Sequence, residues 1–307
     1  MATILVTGGS GMIGNEVVKQ LLRAGHKVHV LDLYPIKIEG ITHFNGSILD
    51  QESILQAMDG CEYVVHFAAL LGVANSTRNP LECLDVNILG TRNVLDCCVA
   101  KNIKRIIFSS SSEVYGDALR VPIKEEEVFQ PKSEYGASKV VGEEYIKAFS
   151  KKFNLDYVIL RFFGVYGPLQ VNNFVVPQFV HNVLNNMPLQ VYGDGKQIRA
   201  FTHVEDVAAA TIKAIFSEQA SKQVFNIGNA ASETTILELA QLVLKISGKE
   251  EGPILVPFEH SDRTKEREIF RRVPDTSKAK NILGFEAKVG LEEGIRKMIE
   301  YRRIMVK

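Results

Sequence analysis

Four glycines crowd into the stretch Gly8–Gly14 of "TGGSGMIG" (Thr7–Gly14), directly after the apolar run Ile4-Leu5-Val6. Glycine tolerates the positive φ of a tight turn and lets another group come closer to the backbone than a β-carbon allows. A strand, a Gly-rich turn and a helix N-terminus form an anion cradle, because unpaired N–H groups and the helix dipole point at one spot. The chain therefore opens on a strand–turn–helix unit built for a phosphate-bearing ligand. Gly8, Gly11, Met12, Ile13 and Gly14 are its candidate contacts.

Downstream, short apolar runs alternate with helix-length amphipathic segments, the pattern of a doubly wound parallel sheet with helices on both faces, an α/β fold of Rossmann type. Strands are predicted over Ile4–Thr7, Lys27–Asp32, Tyr63–Phe67, Arg105–Ser109, Tyr157–Phe162 and Val224–Ile227, and helices over Ile13–Ala24, Glu52–Met58, Leu84–Ala100 and Ala137–Phe153. After Gly167-Pro168 the rhythm changes, with helices expected over Phe174–Asn185 and Thr235–Ser247 and a basic, mixed segment over Ser261–Arg272. Residues 1–167 read as a nucleotide-binding domain and 168–307 mainly as a smaller mixed substrate-binding lobe, with 204–229 returning to the first.

At 307 residues, 46% of them hydrophobic and 23% charged, the chain can bury a large core. Its 36 basic and 36 acidic residues cancel, which argues against nucleic acid or an anionic membrane as the main partner. Cys61, Cys83, Cys97 and Cys98 show neither paired spacing nor Cys-x-x-Cys, so buried thiols in a reducing compartment and no metal site are expected. The first strand begins too early to leave room for a signal peptide, and no apolar run approaches membrane-spanning length. The expectation is a soluble cytoplasmic protein.

Asp32 closes the second predicted strand, 18 residues beyond Gly14. An acid there is placed to accept hydrogen bonds from an adenosine ribose diol. It is followed by Leu33, with no nearby arginine to receive a 2′-phosphate, so NAD is favoured over NADP.

The spacing Thr-Gly-x-x-Gly-x-x-Gly resembles that of the extended short-chain dehydrogenase/reductase superfamily, the NAD-dependent nucleotide-sugar epimerases and dehydratases, and the likeness covers nearly the whole chain. It implies that Ser47 and Ile48 of "GSILD" lie near the adenine, although the family usually carries Asp where Ser47 stands. It also implies that "HFAA" (His66–Ala69) brings Ala68 and Ala69 beneath the cofactor, and that Asn87 of "VNILGT" steadies that region. His66 itself reads as a structural histidine at a strand end.

"YGASK" sets Tyr135 and Lys139 four residues apart, about 6 Å of rise on one helix face. A tyrosine near its ordinary pKa of about 10 is a poor base at neutral pH. A neighbouring ammonium and a cationic nicotinamide would favour the phenolate, which could then take a proton from a sugar hydroxyl. Alone, Tyr-x-x-x-Lys is common on amphipathic helices. "SSSSEVYG" (Ser109–Gly116), however, follows a strand at the C-terminal edge of the sheet, where sites of α/β proteins lie. The resemblance makes Ser111 the third member of a reactive trio with Tyr135 and Lys139.

"LRFFGVYGP" (Leu160–Pro168), "NNFVVPQFV" (Asn172–Val180) and "LQVYGDGKQIRAFTHVEDV" (Leu189–Val207) continue the likeness. They imply Asn173 near the substrate phosphates, Val191 near the base and Arg199 on the diphosphate, a task suited to the guanidinium fork. Gly164 stands where relatives commonly carry Asn. A second phosphate-binding arginine should precede "PDTSKA"; Arg263, Lys265 and Arg267 are the candidates, with Arg267 taken as the contact. The family also implies a homodimer through Leu84–Ala100 and Ala137–Phe153, although their apolar residues could equally be intramolecular core.

The substrate implied is a nucleoside-diphosphate sugar, and the reaction most consistent with these motifs is 4-epimerisation through a transient 4-keto sugar. Glu113 stands where dehydratases and uronate decarboxylases carry a catalytic Glu, which keeps 4,6-dehydration and decarboxylation as alternatives. Ser112 in place of an acid, the "PKSEYGASKVVGE" segment and the compact length favour the epimerase. A non-catalytic NAD-binding protein is the remaining reading, disfavoured because Ser111, Tyr135 and Lys139 are all present.

Overall fold

The computed structural model describes residues 1–71, 78–260 and 268–305. Its first part runs β1 (Thr3–Thr7), α1 (Met12–Arg23), β2 (Lys27–Asp32), β3 (Ile41–Asn45), α2 (Gln51–Ala57), β4 (Tyr63–His66), α3 (Pro80–Leu84), a π-helical turn (Asp85–Leu89), α4 (Gly90–Ala100), β5 (Arg105–Ser111), a 3-10 turn (Ser112–Tyr115), α5 (Glu134–Phe153) and β6 (Asp156–Phe162). The second part adds β7 (Val165–Tyr166), α6 (Val175–Leu184), β8 (Gln190–Tyr192), β9 (Ile198–Ala200), β10 (Thr202–His203), α7 (Val204–Phe216), β11 (Gln223–Ile227), β12 (Glu233–Thr235), α8 (Ile236–Ile246), β13 (Ile254–Val256), β14 (Arg271–Arg272), α9 (Ser277–Leu283) and α10 (Leu291–Met305).

Seven parallel strands form the main sheet in the order β3-β2-β1-β4-β5-β6-β11. Ile4, Leu5 and Val6 are fully buried, as a central strand covered on both faces requires, and they alternate between the two cores. On one face Val17, Val18 and Leu21 of α1 pack with Val207 and Ala208 of α7. On the other, Ile54 of α2 and Val94 and Leu95 of α4 pack with Ile146 and Phe149 of α5. The strand order reverses beside β1, which makes the β1/β4 junction the topological switch point and opens a crevice at the strands' C-terminal ends.

α7 packs on α1, and β11 extends the sheet beyond β6, with Val224 opposite Ile159. The chain also returns once more than expected, because Ala279, Leu283 and Phe285 join the core beneath α1 and α7. The smaller lobe has its own apolar centre, in which Phe179, Val191, Leu239, Val243 and Met298 meet.

Three local differences have physical causes. β3 escaped the sequence reading because it is an edge strand, paired only to β2 and half-covered, so its polar and apolar residues mix. The expected Leu84–Ala100 helix is interrupted by the π turn, of the kind that clusters at functional positions. α5 starts at Glu134, earlier than expected, because the Ser133 hydroxyl accepts the Gly136 N–H at 3.1 Å and caps it.

Behind the crevice, α5 is tied to the sheet by a buried ion pair. Arg161 Nε donates to Glu143 Oε1 at 2.8 Å and Nη2 to Oε2 at 2.6 Å, with side chains 3% and 0% exposed. Arg161 Nη1 also reaches the Tyr115 hydroxyl at 2.7 Å, Ser110 Oγ donates to Glu143 Oε1 at 2.6 Å, and Tyr115 donates to Asn226 Oδ1 at 2.7 Å. The pair joins α5 to β5, β6 and β11. Removing one partner strands the other charge without water, so Arg161→Met should lose about 3–5 kcal/mol of unfolding free energy in urea titrations. Pairing it with Glu143→Leu should recover most of that loss.

Candidate active site

The Gly-rich turn sits where the sheet order reverses. Gly8 adopts φ +74°, and a β-carbon on it would lie 2.6 Å from the Ala68 nitrogen. One on Gly14 would lie 2.2 Å from the Gly8 carbonyl oxygen. These two glycines let the turn press against the loop after β4 and let α1 start directly above it. Gly11 is the N-cap of α1 and supplies no side-chain acceptor, so the N–H groups of the first turn, beginning with Met12 and Ile13, stay directed into the crevice.

Asp32 stands at the end of β2, its Oδ2 accepting the Ser10 N–H at 2.9 Å and its Oδ1 the Tyr34 N–H at 3.0 Å. A carboxylate held in this way keeps further lone pairs for ligand hydroxyls. A cradle closed to β-carbons, an open helix N-terminus and a fixed acid suit a dinucleotide. Ser47 Oγ accepts from Leu49 N–H at 3.1 Å in the turn before α2. The Ile48 side chain belongs to the core: it is 5% exposed and packs onto Gly90, where a β-carbon would lie 2.4 Å from its Cδ1, so its backbone is the part that can face an adenine.

Ala68 donates its N–H to Thr7 Oγ1 at 3.3 Å, which holds the Ala68–Ala69 segment against the turn. Asn87, in the π turn, is spent on the protein: its Oδ1 accepts from Leu70 N–H at 2.8 Å and its Nδ2 donates to Ser138 Oγ at 3.0 Å. It thus positions the loop after β4 rather than offering its amide to a ligand.

The reactive trio converges at the same edge. Ser111 is the last residue of β5, and its Oγ accepts the Glu113 N–H at 3.2 Å. Tyr135 lies in the first turn of α5 and Lys139 in the next, both buried. The Lys139 ammonium lies 4.9 Å from the centre of the Phe108 ring and 5.6 Å from that of Tyr135. Among the described residues no hydrogen bond is made to it, which leaves its three donors for a ligand. Burial lowers its pKa to about 8.

The phenol departs from expectation. Burial raises the Tyr135 pKa well above 10 and the nearby Glu113 carboxylate raises it further, while the facing Ser111 hydroxyl pulls it back in part. Desolvation outweighs the Ser111 hydroxyl and the Arg272 charge, so the protein alone favours the phenol.

Glu113 makes a short ion pair with Arg272, both side chains 12% exposed. The sequence reading missed Arg272, which comes from β14, 159 positions further along the chain. β14 lies parallel to β9 with Arg272 opposite Arg199, and Arg199 is ion-paired to buried Glu268. Both arginines and Asn173 line a cavity of about 200 Å³ in the smaller lobe. Gln190 and Tyr192 line it too, whereas Val191 between them is fully buried in the lobe's core. Strand alternation therefore turns the Val191 side chain into the core while its neighbours face the cavity. Gly164, with φ +49°, borders the cavity, and a β-carbon there would lie 2.1 Å from the Ala200 oxygen, so this backbone has no space for a larger residue. Arg263, Lys265 and Arg267 lie outside the described residues.

His66 is 1% exposed and hydrogen-bonded between two threonines, as a structural histidine should be.

A family model described as the NAD dependent epimerase/dehydratase family matches residues 4–228. The chain belongs to that family. NAD is the family's cofactor, and the crevice at the β1/β4 junction has the donors and the acid to hold it. A solved structure of UDP-glucose 4-epimerase with UDP-glucose from Thermotoga maritima superposes with a TM-score of 0.92 at 34% identity, over 99% of this chain and 100% of that one. A UDP-N-acetyl-alpha-D-glucosaminuronate decarboxylase of Bacillus cytotoxicus is 33% identical over 97% of each chain. A dTDP-glucose 4,6-dehydratase of Streptomyces niveus is 32% identical over 98% of this chain and 92% of its own. These relatives span an epimerase, a decarboxylase and a dehydratase.

A buried ammonium that makes no ion pair among the described residues costs stability. The folded-state pKa of Lys139 lies below its unfolded value, so the penalty is full below about pH 8 and is relieved as the folded state releases the proton. Lys139→Met should therefore raise the ligand-free Tm at pH 7 by roughly 2–4 °C. Calorimetry across pH should show that advantage shrinking between about pH 8 and the ordinary lysine pKa of about 10.4.

Proposed function

We propose that this protein is an NAD-dependent nucleotide-sugar 4-epimerase. The observation that carries the reading is the meeting of Ser111, Tyr135 and Lys139 beside the Gly-rich turn, with Glu113 bound to Arg272 rather than standing alone. When bound, NAD supplies the acceptor and later the donor of the C4 hydride. Ser111 holds the sugar 4-hydroxyl and Tyr135 takes its proton as the C4 hydride departs, leaving a 4-keto sugar. Lys139 offers its donors to the cofactor ribose, and its charge together with the cationic nicotinamide offsets the burial that disfavours the phenolate. Return of hydride and proton to the opposite face of the rotated ketose gives the epimer.

Asn173 and Arg199, with Arg267, form the proposed diphosphate contacts, and Asp32 supports NAD over NADP. Residues 1–167, with 204–229, serve as the cofactor-binding unit and 168–307 mainly as the substrate lobe. Glu113 Oε1 is engaged by the Arg272 guanidinium within the protein. Ser112, buried at 2% exposure, offers no acid in its place. The position of Glu113 beside Tyr135 favours dehydration or decarboxylation as the second reading.

Turnover of a panel of UDP-, dTDP-, GDP- and CDP-sugars, followed by NMR and mass spectrometry, tests the reaction directly. The product should equal the substrate in mass and carry no deuterium at C5 when made in heavy water, and Glu113→Gln should cost only a modest factor. A product lighter by water or carbon dioxide would make Glu113 the base of a lyase. Tyr135→Phe should lower kcat by about 10² or more with little change in NAD affinity by calorimetry.

We also propose a cytoplasmic homodimer. All four cysteines are buried and free, no helix among the described residues is long and apolar enough to cross a membrane, and Leu89 beside α4 and Val141 on α5 are 53% and 36% exposed. Light scattering at micromolar concentration should give twice the chain mass; a stable monomer would refute the dimer.

A further inference from the structure

We propose that His66 is a positioning residue, the centre of a directed hydrogen-bond chain that locks the Gly-rich turn to the Tyr135 turn of α5. The direction follows from counting hydrogens. Thr91 Oγ1 donates to the Asn87 carbonyl at 2.6 Å, which uses its one proton, so at 3.1 Å it must accept from His66 Nε2–H. His66 Nδ1 is then bare and accepts the Thr7 hydroxyl at 2.7 Å, leaving Thr7 Oγ1 to accept the Ala68 N–H at 3.3 Å.

The chain continues on the far side. Asn87, whose backbone carbonyl takes the Thr91 proton, sends its Nδ2–H to Ser138 Oγ at 3.0 Å, and Ser138 donates to the Tyr135 carbonyl at 2.8 Å. Two runs of hydrogen bonds, joined covalently through Asn87, thus link the residue before Gly8 to the residue that bears the phenol. Thr7, His66, Thr91, Asn87 and Ser138 are all 3% exposed or less.

The groups facing the ring support a fixed neutral form. The Phe108 ring lies 5.9 Å from the imidazole and 4.9 Å from the Lys139 ammonium, so protonating His66 would bury a second cation beside the first. Burial, with Lys139 adding to it, lowers the His66 pKa to about 3. A hydride site tolerates little misplacement, since about 1 Å can cost 10² in rate. Locking the cofactor's floor and the base to one ring is a means of holding that distance.

The kinetic arm rests on Tyr135 acting as the base under the proposed function; the spectroscopic arm does not. In the full-length protein, imidazole nitrogen NMR should show His66 as a single neutral Nε2–H tautomer from pH 5 to 8. An imidazolium, the Nδ1–H form or a mixture would overturn the proposal. Thr91→Val, near-isosteric and without the hydroxyl, should release that tautomer and lower kcat about tenfold, with KM for the sugar and Kd for NAD changed less than threefold. Thr91→Ser should restore both the tautomer and kcat. Thr7→Val combined with Thr91→Val should be no slower than the worse single variant, because one chain is already broken. Multiplying losses, unchanged kcat in Thr91→Val, or loss only through a lowered Tm would each refute it. If the wild type turns over no nucleotide sugar, the epimerase reading fails while the tautomer measurement still decides this one.

Discussion

The site depends on one contact between backbones. Gly8 lies against the Phe67–Ala68 peptide with no space for a β-carbon, and Gly14 lies against Gly8 in the same way. That closeness sets α1 directly over the β1/β4 junction, so its open N-terminus, Asp32 on β2 and the loop after β4 face one crevice. Sheet order supplies the crevice, and glycine supplies the fit. A side chain at either position would push α1 away from the strand that feeds it, and the anion site would lose its donors.

Burial then decides the electrostatics. Lys139 and Tyr135 are packed among Phe108, Ser111 and the π turn, where each disfavours its charged form: the lysine is drawn down to about 8 and the phenol is driven up. A cation arriving with a ligand would favour the phenolate and oppose that burial. Around this pair the protein spends its charged groups on holding shape. Arg161 and Glu143 fasten α5 from behind, and Arg272 engages Glu113 in front.

Chemistry carried by one element was legible in the sequence. The Gly-rich turn, Asp32, Ser111, Tyr135 and Lys139 all sit at spacings fixed by a strand end or a helix turn, and the structure brings them to the same edge. Contacts made across the chain were not. Arg272 meets Glu113 only because β14 is laid beside β9, and no local pattern announces a partner so far along the chain. The side chains of Val191 and Ile48 face the core, a direction that a short strand or turn does not reveal in the sequence. β3 was missed because half-covered edge strands mix polar and apolar residues.

By itself the sequence determined the class of fold, since periodicity is enforced by backbone geometry alone, and its motifs pointed to the kind of cofactor and to candidate reacting side chains. Tertiary structure decided the charge states and the partners. Desolvation raised the pKa of the Tyr135 phenol in the protein alone, and strand pairing gave Glu113 its arginine. The packing of β4 against the π turn gave His66 its two threonines. Burial and long-range contact are properties of the assembled molecule, because both depend on which surfaces exclude water together.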